Sequence, residues 1–291
     1  MFPGPDFAPL LHPTAPPRGV NPDAFAVQSL AAANGWEYFT HTTEQPFPGV
    51  VFREPSGAPR YMQRAVNIVR IPGQPVLEIG NSAYTEIAIG NQFTQYWGYA
   101  AAAAPGMFPT VIIEADRNRQ RSALPSLPRG AVATPRGAAG RAVVIHTDPA
   151  AAAWAAAIFT DELCALLDDG TVAFDLELAG GWVFLYAPQP LATADPRVWQ
   201  RILDTMGAVL ERLQSAPAAA PATPPPPPPA PAPAAAAPSA WNAAAAQPAP
   251  PAAEMRSRGG AVNGGRIGWY LGAIAAAVVL FGAAFAIFGP R

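Results

Sequence analysis

Apolar residues recur along this chain with three different periods, and each period predicts a different kind of element. Val198, Trp199, Ile202, Leu203, Met206, Val209, Leu210 and Leu213 repeat at three and four, which predicts an amphipathic helix after Asp195-Pro196. Upstream, Trp36–Phe39, Val50–Phe52, Ala65–Val69, Val76–Ile79, Thr85–Ile89, Gln95–Tyr99 and Thr110–Glu114 are short β-prone runs, several alternating at period two between Gly, Pro and Asn. They predict an antiparallel meander. The third pattern has no polar phase at all: Ile267 to Phe288 is 22 residues long without one charged side chain. At ~1.5 Å per residue such a helix covers the ~30 Å core of a bilayer.

Local punctuation sharpens the remaining elements. Asn21-Pro22 reads as an N-cap followed by Pro at the first helical position, and Asn34-Gly35 as the matching C-terminus, so residues 22–33 are expected to be helical. A strand at Arg141–Ile145 leads into Thr147-Asp148-Pro149, a helix start. That helix is expected to run to about Leu167, with a break near Thr160-Asp161-Glu162. Val172–Leu178, a Gly180-Gly181 turn and Trp182–Tyr186 predict a hairpin. The fold class expected is α+β, a mostly antiparallel sheet with helices on one side.

Composition sets the boundaries. Residues 1–20 carry six prolines without periodicity and are expected to be a disordered arm, followed by a globular module at 21–214. Residues 216–253 hold 14 Pro and 19 Ala among 38 positions, so 215–266 is read as a linker. With Pro224 to Pro229 in polyproline II, it would act as a semi-rigid spacer reaching roughly 100 Å. The run 267–288 is then a C-terminal transmembrane helix. Arg256, Arg258 and Arg266 precede it against Arg291 after it, and no basic, apolar leader occurs near Met1. Both features predict a single-pass protein of the cell membrane with its module in the cytoplasm. A surface-exposed envelope protein of opposite topology is the competing arrangement. Gly264, Gly268, Gly272 and Ala276 fall at four-residue spacing and would give one smooth helix face for self-association, although a helix this rich in Gly and Ala shows such spacing by accident too.

Charge differs by region. Residues 1–215 carry 14 Arg against 19 Asp plus Glu, a net of −5, whereas the remainder carries 4 Arg and Glu254, a net of +3. An acidic module argues against nucleic acid as a partner. Within it, Arg117, Arg119, Arg121, Arg129, Arg136 and Arg141 lie in a stretch from 117 to 147 with no acid. A flexible basic loop there is a candidate contact to anionic lipid, worth about 1 kcal/mol per residue near the surface, with Arg256, Arg258 and Arg266 as further contacts. All 18 basic residues are Arg, which GC-rich codons would also produce.

Candidate chemistry is sparse. His146 near Asp148 is the one pair with a catalytic flavour, yet a capped helix start behind a half-exposed histidine accounts for the same residues. Asp175 and Glu177 share a strand face opposite Phe174, Leu176 and Leu178, as a half-solvated strand would. One cysteine, Cys164, builds neither a disulfide framework nor a cysteine metal site, and no metal or cofactor motif is present. No catalytic residue, metal ligand or cofactor is assigned.

Ala31-Ala-Ala-Asn-Gly-Trp36, Leu77-Glu-Ile-Gly-Asn81, Val143-Val-Ile-His-Thr-Asp-Pro149 and Ile158-Phe-Thr-Asp-Glu-Leu163 resemble segments of uncharacterised high-GC, actinobacterial-type membrane-anchored proteins, a bacterial family defined by a domain of unknown function. The resemblance spans about residues 21–213 and implies a strand, an Asp-containing helix start, and a hairpin followed by a last helix. It brings no catalytic residues. The expectation is a single-pass, C-terminally anchored protein with a cytoplasmic binding or scaffolding module. Its partners would be the bilayer and another envelope protein, or a second copy through the membrane helix. The rival is an enzyme with a site around His146, Asp148 and the Tyr96–Tyr99 stretch.

Overall fold

The computed structural model describes residues 4–43, 47–88, 91–137 and 143–216. Among them nine strands form one antiparallel sheet, so the fold is α+β. The strands are β1 (Glu37–Thr42), β2 (Arg64–Ile71), β3 (Leu77–Ala88), β4 (Asn91–Ala103), β5 (Val111–Ala115), β6 (Val132–Arg136), β7 (Val143–Thr147), β8 (Asp175–Ala179) and β9 (Trp182–Ala187). Their spatial order is β1-β2-β3-β4-β9-β8-β5-β7-β6. The helices are α1 (Ala8–Leu11), α2 (Pro22–Ala33), α3 (Asp116–Arg119), α4 (Ala152–Ile158), α5 (Asp161–Leu167) and α6 (Pro196–Gln214).

Capping defines the longer helices. The Asn21 side chain accepts from the Asp23 and Ala24 amides, and Asp195 accepts from the Arg197 amide, each with Pro at the first helical position. Gly35 at φ +66 ends the run after α2. The 3₁₀ turn Pro149–Ala151 leads into α4, and Asp148 caps it.

Strand alternation splits the core into two layers. On one face Val69, Ile71, Leu77, Ile79, Ala100, Ala102, Val111, Ile113, Val143, Ile145, Leu176, Leu178, Val183 and Leu185 pack against buried residues of α1, α2, α4, α5 and α6, with Trp199 fully buried among them. On the other face Ala65, Ile68, Tyr84, Trp97, Tyr99, Ala101, Ile112, Phe184 and Tyr186 pack against Phe47, Val51, Phe52 and Leu124, which come from loops. A bulge in β2 sorts its residues between the layers. One extra residue lies between Val66 and Val69, where Asn67 takes φ 53 and accepts the Tyr38 hydroxyl at 3.0 Å. Ala65 and Ile68, three apart, therefore join the same layer.

Several expectations are corrected. The arm 1–20 is not disordered over its described part: Leu10 of α1 is buried in the core. Asn34 ties this segment down, accepting the Asp6 amide at 2.7 Å and donating to the Asp6 carbonyl at 3.0 Å. Val50–Phe52 is not a strand, because Gly49 accepts from the Phe52 and Arg53 amides in a turn that drives Val51 and Phe52 into the aromatic layer. The runs expected at 76–79 and 85–89 fall, over residues 77–79 and 85–88, in one strand, β3, and Gln95–Tyr99 continues through four alanines to Ala103 in β4. Val132–Arg136 pairs with β7 as an edge strand although it carries Pro135. Among the described residues no single helix is long and apolar enough to cross a membrane. The linker from residue 217 onward, the run 267–288, Arg256, Arg258, Arg266, Gly264, Gly268, Gly272 and Ala276 lie outside the described residues.

Candidate functional site

The expected pair at the end of β7 is separated by its own hydrogen bonds. His146 Nε2 lies 2.8 Å from Glu114 Oε2 on β5, while Asp148 Oδ1 accepts the Ala150 amide at 2.8 Å as a cap. The histidine partner is therefore Glu114, and both side chains are largely buried. The Tyr96–Tyr99 stretch does not approach them. β9, β8 and β5 stand between β4 and β7, about 19 Å at ~4.8 Å per strand.

Asp175 and Glu177 do share a face, but it is not solvated; they are 1% and 2% exposed. Asp175 accepts the Ala115 amide at 2.8 Å, and burial holds its carboxyl well above the usual range despite that bond. Glu177 accepts the Val50 amide at 2.8 Å and the Tyr186 hydroxyl at 2.9 Å. Burial pushes its pKa up to about 7, against the opposing pull of those two donors and of Arg60. Arg60 in turn donates from Nε to the Val50 carbonyl at 2.8 Å and lies 4.8 Å over the Tyr84 ring. This network latches residues 47–60 to β8 and β9. Gly49 is required in it, since a Cβ there would stand 2.0 Å from the Tyr186 hydroxyl.

Over its described residues the basic stretch is structured and mostly engaged. Arg119 pairs with Asp116 at 2.6 Å, Arg117 lies 3.7 Å from Asp168, and Arg121 donates to the Gln189 side chain at 3.1 Å. Arg136 lies 3.7 Å from Asp161 and donates to the Ala156 carbonyl. The expected flexible loop is thus corrected to α3, a connecting segment and β6. Arg141 lies outside the described residues.

A concavity over β1–β4 is legible in the sequence only at its Tyr96–Trp97 edge. Asn81 sits mid-strand on β3, a position that disfavours Asn unless its side chain has work there. Its Oδ1 accepts the Leu191 and Ala192 amides at 2.8 and 3.1 Å, and its Nδ2 donates to the Ala192 carbonyl at 2.9 Å. Gly98, its partner across β4, donates its amide to the Gln189 carbonyl at 3.0 Å. A Cβ at Gly98 would stand 2.5 Å from that carbonyl and from Leu191, so only glycine admits the loop. The loop between β9 and α6 is thereby clamped onto the sheet, and Pro190 forms a wall.

Beyond that wall the sheet lies open as a cavity of about 380 Å³. Register assembles its floor. His41 on β1, Val66 on β2 and Asn81 on β3 are successive partners, as are Arg64, Ala83 and Tyr96 one step outward. Thr42, Thr43, Ser82 and Trp97 complete the lining, which holds no acidic residue among the described residues. Val66 and Tyr96 are 39% and 62% exposed there. From this end the β3–β4 ribbon projects, carrying exposed Ile87 and Phe93. Size, apolar lining and a few polar groups are the attributes of a small-molecule site. Another concavity runs between Gly4-Pro5, Pro72–Pro75 and the polar side of α6, where Gln200 and Asp204 already bond one another. Among the described residues no group of His, Cys, Asp and Glu is placed to hold a metal ion.

No protein-family model matches the chain, and no curated protein matches it. Among solved structures it is similar to the crystal structure of the mycobacterial trehalose monomycolate transport factor A, TtfA. The two share 17% sequence identity at a TM-score of 0.43, over 66% of this chain and 94% of that one. A likeness of that depth bears on neither activity nor ligand.

Proposed function

We propose that this chain is a binding protein carried on a membrane tether, with its ligand seated in the cavity over β1–β4. One observation carries the reading: the Asn81 and Gly98 clamp holds a loop on the sheet so that an apolar hollow of about 380 Å³ stays open beside it. Binding is favoured over catalysis because the carboxylates that could exchange protons, Glu114, Asp175 and Glu177, are buried and committed to neighbours. The tether is the apolar run 267–288, with the Pro/Ala-rich segment as spacer and the preceding arginines placing the module on the cytoplasmic side. The spacing of Gly264, Gly268, Gly272 and Ala276 supports a self-associating membrane helix.

Two experiments test this. Amide chemical shifts of the protein are followed while small apolar probes are added. Changes gathered at residues 64–66, 81–83 and 96–98, and lost in Val66→Trp, are expected; changes scattered elsewhere would sink the cavity reading. For the compartment, Ser239→Cys is placed in a Cys164→Ser background and treated in intact cells with a membrane-impermeant thiol reagent. Labelling only after lysis is expected, and labelling of intact cells would reverse the topology. Cys164 itself is a weak target, being buried with its thiol pushed up to about 11 by desolvation.

A further inference from the structure

We infer that the cavity takes an amphiphile with an anionic head, a carboxylate or phosphate monoester on an aliphatic chain, and that Arg64 receives the head. This rests on the cavity reading above and adds the chemistry of its occupant. The guanidinium of Arg64 has no ion-pair or hydrogen-bond partner among the described residues, although the module is acidic overall and most of its other arginines are engaged. It stands at the cavity margin, exposed, in register with Ala83 and Tyr96. His41 lines the same hollow two strand positions away, and among the described residues no carboxylate opposes either residue in the lining. A planar, permanently charged fork with free donors suits bidentate recognition of a carboxylate or phosphate.

The remainder of the lining sets the tail. Val66, Ala83, Tyr96, Trp97 and Pro190 offer apolar surface continuous with the Arg64 site. Val66 and Tyr96 leave enough of it uncovered for an aliphatic chain to gain by burial. A bare anion would leave that surface wet, and a neutral chain would leave the guanidinium uncompensated. A single occupant with both parts satisfies both.

The test measures dissociation constants by calorimetry on the full-length chain in lipid nanodiscs, with empty nanodiscs as the blank, using octanoate, octyl phosphate, octanol and acetate as probes. Octanoate or octyl phosphate is expected to bind at least tenfold more tightly than octanol, and whichever binds better identifies the head. Acetate is expected to bind far more weakly, with each methylene added beyond it tightening binding by up to about fourfold. Arg64→Gln should remove the preference for the anionic probes and leave octanol unchanged; Arg64→Lys should restore part of it. Val66→Trp, with Tyr96→Ala as a second variant that does not fill the floor, should weaken all three chain-bearing probes. Equal binding of octanol and octanoate, indifferent to Arg64→Gln, would overturn the anionic head and leave the cavity reading standing. No binding of any chain-bearing probe at millimolar concentration would overturn both, and acetate binding as tightly as octanoate would overturn the tail.

Discussion

The two faces of the sheet are covered by opposite means. Helices cover one face mainly with aliphatic residues and with Trp199, whose indole N–H donates to the Thr193 carbonyl at 2.7 Å. The other is covered by irregular loop, and there aromatic rings interleave with Glu177, Tyr186 and Arg60. Phe52 packs edge-on to Tyr99 at 5.0 Å, and Phe184 stacks on Tyr186 at 5.6 Å. A helix meets its own backbone hydrogen bonds, so the helical layer needs no buried carboxylate to accept from backbone amides. A loop does not, and its amides must find acceptors in the sheet; Glu177 supplies one to Val50. The buried carboxylate is thus the cost of covering a sheet with loop instead of helix.

That contrast can be broken from either side. Trp199→Ala on the helical face should give the largest loss, about 3–5 kcal/mol, as volume is removed from a site with no exposure. Urea unfolding at pH 7 measures it, and a loss below about 1 kcal/mol would contradict volume as the source of that layer's stability.

On the loop face the larger effect follows pH. Glu177 has a folded pKa of about 7 against an ordinary 4.5, so its contribution is fully present below the ordinary value and is lost as pH rises through 7. Between about pH 4.5 and 7 the fold should lose on the order of 3 kcal/mol from this group. Asp175 is shifted in the same direction, so unfolding free energies at pH 5, 6, 7 and 8 should fall steadily. Glu177→Gln should flatten part of that slope, leaving the Asp175 share; an unchanged slope would remove Glu177 from the account.

Gly49→Ala sharpens the comparison further. Its Cβ would meet the Tyr186 hydroxyl, so a loss of about 1–3 kcal/mol is expected. Tyr186→Phe should recover part of it, since the colliding oxygen is gone; additive losses in the double variant would show that the clash is not the cause. The smallest effect belongs to Asn21→Ala at the α2 cap, about 1 kcal/mol by thermal unfolding, with no change in pH dependence.

Legibility followed the range of the interactions. The α2 and α6 starts, the break near Thr160-Asp161-Glu162 and the hairpin around Gly180-Gly181 rest on neighbours within a few positions, and the structure has each, although the first hairpin strand begins at Asp175 and not at Val172. The turn at Val50–Phe52 was misread because an apolar triplet looks the same in a strand and in a plug. His146 pointed to Asp148, two residues away, when its partner was Glu114, 32 positions distant. Asn81 carried a usable signal, an amide side chain inside a β-prone run, but nothing local tells that it clamps residues 191–192.

By itself the sequence determined the α+β class, the bounds of α2 and α6 and the presence of a 22-residue apolar run, because periodicity, capping and length act through adjacent residues. Only the tertiary structure decided which strand neighbours which, that Glu114, Asp175 and Glu177 are buried, and that a hollow opens beside Arg64. Those features depend on pairings between segments more than a hundred positions apart, such as Asn81 with Ala192, 111 apart, and Val50 with Glu177, 127 apart. Side-chain alternation tells which face a residue occupies, but what covers that face is settled by the whole chain.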